Sequence, residues 1–381
     1  MGSYGHTNGA TGTGTKRDRA QTHRRFRGGA RGTGGRGGTP DGEVAPAAPT
    51  TRWSLFRQSP HLPALVVTLI VSVCAALFAA SYSLAFGDPT PHRVPVAIVG
   101  DAQQIAVLEG LVAKDATSSI EVSRFSSEAD ALNALDNQRI YGALVLGDST
   151  GLTVHISSAS GSSIARLLTS DASLWAAQGG LTATIVDSHP LPASDQSGLA
   201  AFYVTLAAII TGFMGAVQLR TNAAGMDLRR NLGWDVVRVV LGGLAVTLTV
   251  GPILQVAPFP VLGVWLVLSS AMLVSGLTYA LFRVLVGAKW AMLPTWILFV
   301  LLGNPSSGGA VASQLLPPFF ETVGRLLPTS ATVSAVRDLT YFPDHLHSEP
   351  FLVLAAWVVG SLTLYVVARV RRYGASARAP R

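Results

Sequence analysis

From Val239 to Phe282 the chain runs forty-four residues without a Lys, Arg, Asp or Glu. About twenty apolar residues are enough to cross the hydrocarbon core of a bilayer, so this run is too long for one crossing. Pro252, Pro258 and Pro260 punctuate its middle. The run therefore predicts a helical hairpin, one span at about 236–256 and the next at about 260–283. Composition agrees: of 381 residues, 49% are hydrophobic and only 13% charged, which excludes an ordinary soluble domain.

Four further apolar stretches complete the set. Leu62 to Phe86 is free of charge and sets a first span within 60–87, with Trp53 and Arg57 before it as interface anchors. A cleaved signal peptide is the weaker reading, because the preceding tail and the apolar run are both too long. Gly198 to Leu219 is charge-free, 289–304 is near the lower length limit, and Phe351 to Val370 closes the series. The expected fold is an α-helical polytopic membrane protein with six transmembrane helices. A small extracytoplasmic α/β domain (88–197) is inserted between the first and second spans. A five-span membrane domain (198–370) and a basic tail (371–381) follow.

Charge placement orients the chain. Residues 1–59 hold ten Lys/Arg against three Asp/Glu, which accounts for the whole net charge of +7. With that tail inside, the later inner segments hold eleven Lys/Arg and two Asp/Glu, and the outer segments seven and sixteen. This is the positive-inside pattern of a multi-pass membrane protein with both termini cytoplasmic. The single cysteine, Cys74, lies in an apolar run and allows no intrachain disulfide.

The tail is Gly, Thr, Arg and Pro with almost no large apolar side chain, a composition that predicts disorder. Gly32 to Gly37 spells G-x-G-x-x-G but has neither the preceding strand nor the following helix of a dinucleotide site. In Gly9 to Lys16, Thr15 breaks the spacing of a phosphate loop. The Arg/Gly run resembles an RNA-binding box, but beside a span it reads as a juxtamembrane segment attracted to anionic lipid. Membrane lipid is the expected partner, with no specific nucleic acid.

Residues 88–197 are the only sizeable polar block. Strands are predicted at 94–99, 120–125, 140–146, 152–156 and 182–186. Helices are predicted at 102–114, 127–135 and 164–177, with Ile105, Leu108, Leu111 and Val112 on one face of the first. Alternating strands and helices imply a small α/β domain with room for one core.

Catalytic constellations are missing: there is no G-x-S-x-G, no H-E-x-x-H, no pair of C-x-x-C and no complete phosphate loop. No cofactor, metal or catalytic residue is expected, and the chain does not read as an enzyme. Asp344, His345, His347 and Glu349 cluster before the last span, but a short polar loop accounts for them and nothing fixes a ligand geometry. Asp235 and Arg238 read as a local i,i+3 pair at a span end. The spans hold almost no ionisable residues, which argues against proton- or ion-coupled transport. Gly212, Gly215, Gly242, Gly243, Ser275 and Gly276 permit close helix packing.

The stretch Gly303 to Phe342 fits none of these categories. Leu315, Leu316, Phe319, Phe320, Leu326 and Leu327 are too apolar for a plain loop. Pro305, Pro317, Pro318, Pro328, Glu321 and Arg325 do not suit a plain span. Irregular backbone at membrane depth must be buried in protein or line water, so the stretch reads as a broken hairpin (304–349) that lines or gates a cavity. An extracytoplasmic linker with short amphipathic helices is the alternative.

Gly303 to Gly309, Leu315 to Phe320, Leu327-Pro328 and Ala335 to Asp338, together with the strand Val94 to Val99, carry a resemblance. The layout over about 60–370 resembles the ABC-2 type exporter permease superfamily, in particular its phage-infection-protein-like branch, whose members often have a much larger outer domain. The resemblance implies a permease that works as a homodimer or heterodimer beside a separate ATP-binding subunit, moving a lipid-like, peptide or drug-like substrate outward. It places Asn304, Pro305, Ser306, Ser307, Gly308, Gly309, Pro317, Pro318, Phe319, Phe320 and Arg337 at a gate or cavity. It also places Asp227, Arg229 and Arg230, in the Thr221 to Trp234 loop, at the ATPase contact. The alternative is a non-transport envelope receptor or scaffold acting through its outer domain.

Overall fold

A computed structural model describes residue 59 and residues 61–116, 119–147 and 150–374. The expected disorder of the N-terminal tail, its Arg/Gly motifs, Trp53, Arg57, Arg378 and Arg381 lie outside the described residues. The chain divides into 1–62 and 63–381, and the architecture below is that of the second unit.

Among the described residues, five helices are long and apolar enough to cross a membrane: α1 (His61–Phe86), α5 (Ala200–Asn222), α6 (Leu228–Leu248), α7 (Val261–Val286) and α11 (Ser348–Tyr373). The last turn of α6, Thr249–Ile253, widens to a π-helix around Pro252, which has no N–H to give to the α-helical ladder. The fifth of the six expected spans, at 289–304, is instead a half-length apolar helix. It begins as α8 (Met292–Trp296), with Pro294 inside it, and continues as a π-helical stretch, Ile297–Gly303. Twelve residues rise about 18 Å, short of the roughly 30 Å of hydrocarbon.

Between α1 and α5 lies a five-stranded sheet in the order β2-β1-β3-β4-β5. The strands are β1 (Val94–Val99), β2 (Ile120–Arg124), β3 (Gly142–Leu146), β4 (Gly151–Ile156) and β5 (Thr182–Asp187). All neighbours are parallel except β3 and β4, which are joined directly and run antiparallel. Three helices cross over: α2 (Ala102–Ala116), α3 (Glu128–Asp136) and α4 (Ser162–Gln178). The alternation of side chains along the strands sorts two layers. Val94, Val96, Ile98, Leu144 and Val154 pack under α2 and α4, while Ala97 and Ala143 pack under Ala131, Ala134 and Leu135 of α3. The predicted elements are all present within two residues of their expected ends. Ser127 caps α3 by accepting from Asp130 N at 3.1 Å.

α7 is the hub of the helical bundle and packs against α5, α6 and α11. Small residues set its distances. A side chain at Gly212 would stand 2.6 Å from Met272 O and 2.1 Å from Ser275 Oγ, and one at Gly243 would stand 2.3 Å from Ser269 Oγ. The small-residue contacts read from the sequence are thus the actual helix interfaces.

Candidate functional site

The stretch after α8 builds a broken hairpin of short helical segments. A 3-10 turn, Pro305–Ser307, leads to Gly308, whose φ of +68° suits glycine. A second 3-10 turn, Ser313–Leu315, precedes the short helix α9 (Pro318–Gly324), and α10 (Pro328–Tyr341) returns. Pro318 and Pro328 sit in the first turns of α9 and α10, where their missing N–H costs nothing and their fixed φ helps. The tip between them reaches deep. Trp357, nine residues into α11, donates its indole N–H to Leu326 O at 2.8 Å, about 14 Å along that helix. At the same tip, Thr329 donates to Gly303 O at 2.8 Å. Gly324 lies so close to the 3-10 turn that a Cβ there would sit 2.2 Å from Ser306 O.

The hairpin ties three regions together. Towards α1, Asn304 donates to the Tyr82 hydroxyl, Ser81 donates to Leu301 O at 2.7 Å, and Ala85 packs with Leu316 and Phe320. Towards the sheet domain, His92 N donates to Gln314 O at 2.8 Å and Tyr141 donates to Gln314 Oε1 at 2.7 Å. Ala312 and Leu315 join the core under α2 and α4. At the end of α10, Asp338 accepts from Gln138 Nε2 at 2.9 Å and from His347 N at 3.3 Å. Tyr341 donates to Asp195 Oδ2 at 3.4 Å, and Asp195 in turn accepts from Leu199 N and Ala200 N at the start of α5. Burial pushes the Tyr141 phenol up. It pushes the Tyr341 phenol up as well, with the Asp195 charge adding to the effect.

The structure gathers part of the expected gate. Asn304, Pro305, Ser306, Ser307, Gly309 and Phe320 are buried, while Gly308, Pro317 and Arg337 are half-buried. Arg337 donates to Gly308 O at 3.2 Å and Ser307 donates to Asn304 O at 2.7 Å. The Ser306 hydroxyl is buried without a partner. Pro318 and Phe319 instead face outward on α9. The space between Gly308, Gly309 and Arg337 on one side and Ser162 and Ser163 of α4 on the other is about 10 Å³, room for a single water. The clasp at Asp338 is not legible in the sequence, because its partners lie 200 and 9 residues away.

At the opposite ends of α5 and α6, Asp227 caps α6 by accepting from Arg230 N at 3.3 Å, and Arg229 and Arg230 are exposed. The pair read as Asp235 and Arg238 is larger than expected. Arg220 grips Asp235 with two hydrogen bonds, 2.7 and 3.2 Å, while Arg238 reaches it at 3.3 Å and donates to Gly212 O at 2.9 Å. α6 starts eight residues earlier than the span read from hydropathy, so these charges lie within the helix pair rather than in a loop. His347 is engaged by Asp338 and Asn137 O. Among the described residues, no group of three or more His, Cys, Asp or Glu is placed to hold a metal.

A second depression lies on the sheet domain. It opens beyond the C-terminal ends of β1 and β3, where the chain order reverses, and encloses about 240 Å³ between Asp101, Gln104, Leu146 and Leu181. Such reversal points are where open α/β sheets take ligands. Compared with known protein families, curated proteins and solved structures, the chain matches none.

Proposed function

We propose that the chain is the membrane subunit of an ABC-2 type exporter, moving its substrate outward on ATP hydrolysed by a separate subunit. The re-entrant hairpin carries this reading. It sets irregular, polar backbone at membrane depth, held by protein rather than lipid, and it contacts α1, the bundle and the sheet domain at once. An element so placed couples a motion of α5 to α7 to an opening near Gly308 and Arg337. Arg229 and Arg230, exposed at the far end of α6, form the docking point for the ATPase, on the cytoplasmic face with both termini. Substrate and partner copy meet the hairpin from the side where α1 is open.

The depression at the reversal point of the sheet favours a second reading, an envelope receptor or scaffold that recognises a small ligand or partner through its outer domain. One experiment separates the two. The full-length protein is drawn from its native membrane in mild detergent, its partners are identified by mass spectrometry, and ATPase activity is assayed. A stoichiometric ATP-binding subunit with vanadate-sensitive activity is the expected result. A preparation without ATPase, or with envelope proteins held by residues 88–197, overturns the exporter reading in favour of the receptor.

A further inference from the structure

Where the last turns of α5, α7 and α11 converge with the first turns of α6, the helices leave a pocket of about 160 Å³. Three arginines line it: Arg220, Arg283 and Arg369. No carboxylate does. Their charges are not equally balanced. Arg220 is paired with Asp235, and Arg238 shares that same carboxylate from behind. Asp227, at the start of α6, faces Arg230. Arg372 is occupied by Val284 O and Leu285 O at the end of α7. Among the described residues, Arg283 and Arg369 have no acidic partner.

Arg369 is the telling case, because it is only 3% exposed. Its terminal nitrogens donate to the Tyr365 hydroxyl and to Met226 O, both at 3.2 Å, and its Nε–H has no partner. A guanidinium this deeply buried normally meets an anion. Beside it Asn231, 4% exposed, donates to Met226 O at 3.1 Å and leaves its Oδ1 unsatisfied. The pocket therefore offers N–H donors and surplus positive charge together with one acceptor. It also lies within the final turns of three long apolar helices, the level at which a bilayer presents its headgroups. Basic pockets between helix ends are fitted to phosphate headgroups.

We propose that this pocket binds an anionic phosphate accompanied by a hydroxyl donor, the chemistry shared by a phosphatidylglycerol headgroup, whose glycerol carries the hydroxyl, and hydrogen phosphate, whose own P–OH supplies it. Arg369 and Arg283 bind the phosphate oxygens, and Asn231 Oδ1 accepts from the hydroxyl. The assignment is independent of transport and stands whether or not an ATPase partner is found.

The test uses the full-length protein in nanodiscs of phosphatidylcholine, with and without phosphatidylglycerol, and in phosphatidylcholine with phosphate replacing chloride at equal ionic strength. Thermal stability and lipid retention in native mass spectrometry are read for wild type, Arg283→Gln and Arg369→Lys. Phosphatidylglycerol is expected to raise the melting temperature and to be retained over phosphatidylcholine. Arg283→Gln should weaken retention about tenfold, as for one lost charge-assisted hydrogen bond. Its stability in pure phosphatidylcholine should match wild type, so a folding defect of Arg369→Lys would leave the test intact. Stabilisation by phosphate alone that Arg283→Gln removes supports the site with soluble phosphate as its source. Equal retention of both lipids with no effect of phosphate, or a preference that Arg283→Gln leaves unchanged, overturns the proposal.

Discussion

α1 and α7 are both 26 residues long and both apolar enough to span a membrane, yet they are used in opposite ways. None of the most apolar stretch of α1 is buried within the protein, against 56% for α7. Hydrophobicity does not separate them, because lipid tails solvate Leu and Val as well as a protein interior does. Small and hydroxyl residues do. α7 brings Ser269, Ser275 and Gly276 to the backbones of α5 and α6, whereas α1 presents Leu65, Val67, Val71 and Leu84 to its surroundings. α1 is held near one end by Ser81 and Tyr82. One helix is embedded and the other is tethered.

The largest effect should come from the clamp that holds the helices around α7. Asp235→Asn leaves Arg220 buried without its carboxylate and should cost about 3–5 kcal/mol, the range for breaking a buried pair. Unfolding followed in detergent checks it. The triple variant Arg220→Met/Asp235→Leu/Arg238→Met, which removes all three charges of the cluster, should recover most of that loss, because apolar side chains of similar size often replace a buried pair or triad without penalty. An Asp235→Asn variant as stable as wild type would show that α5 and α6 are held around α7 by packing alone.

Next comes overpacking. Gly212→Val drives a side chain into the α7 backbone at Met272 and should destabilise the bundle by about 3 kcal/mol. Ala76→Val, on the open face of α1, should stay within about 0.5 kcal/mol of wild type. Equal losses would break the contrast between the two helices, since α1 would then also be packed against protein.

How far these features can be read from sequence follows their range. The five strands show as short β-branched runs, and the small residues of α5 to α7 mark real contacts, because both patterns are local. The half-length helix Met292–Gly303 reads as a span in the sequence, since hydropathy counts residues and not the helix type that Pro294 and the following π-helical stretch impose. Asp235 was matched with Arg238 three residues on, whereas its stronger partner, Arg220, stands fifteen residues back across a helical turn. Arg369 lies inside an apolar run, and although Tyr365 stands one helical turn before it, its burial also depends on Met226, 143 residues back, which no periodicity links to it. The hairpin showed as a compositional anomaly, but its depth is set by Trp357 and Thr329 contacts that only the fold brings about.

The tether of α1 is a smaller matter. Tyr82→Phe and Ser81→Ala each remove one hydrogen bond to the stretch after α8, worth about 1 kcal/mol apiece. The double variant should leave the bundle folded while cross-linking between α1 and residues 301–304 falls. Unchanged cross-linking would mean that Ala85, Leu316 and Phe320 hold α1 unaided.

The smallest effect belongs to the other end of the same hairpin, where the sheet domain holds Gln314 through Tyr141. Burial raises the Tyr141 pKa, so the folded state favours the neutral phenol. Its contribution is therefore intact below the unfolded value of about 10 and is lost as pH rises from there through the folded value. Subtilisin cleavage within 310–316 should thus increase as pH rises above about 10, with the bundle still folded. In Tyr141→Phe the cleavage should be slightly faster at pH 8 and nearly independent of pH, because the titrating group is gone. An alkaline onset in Tyr141→Phe equal to that of wild type would transfer the effect to Tyr341, whose phenol is raised in the same direction by burial and Asp195. The sheet domain would then grip the hairpin through its apolar contacts at Ala312 and Leu315, the kind of hold that embeds α7 rather than the kind that tethers α1.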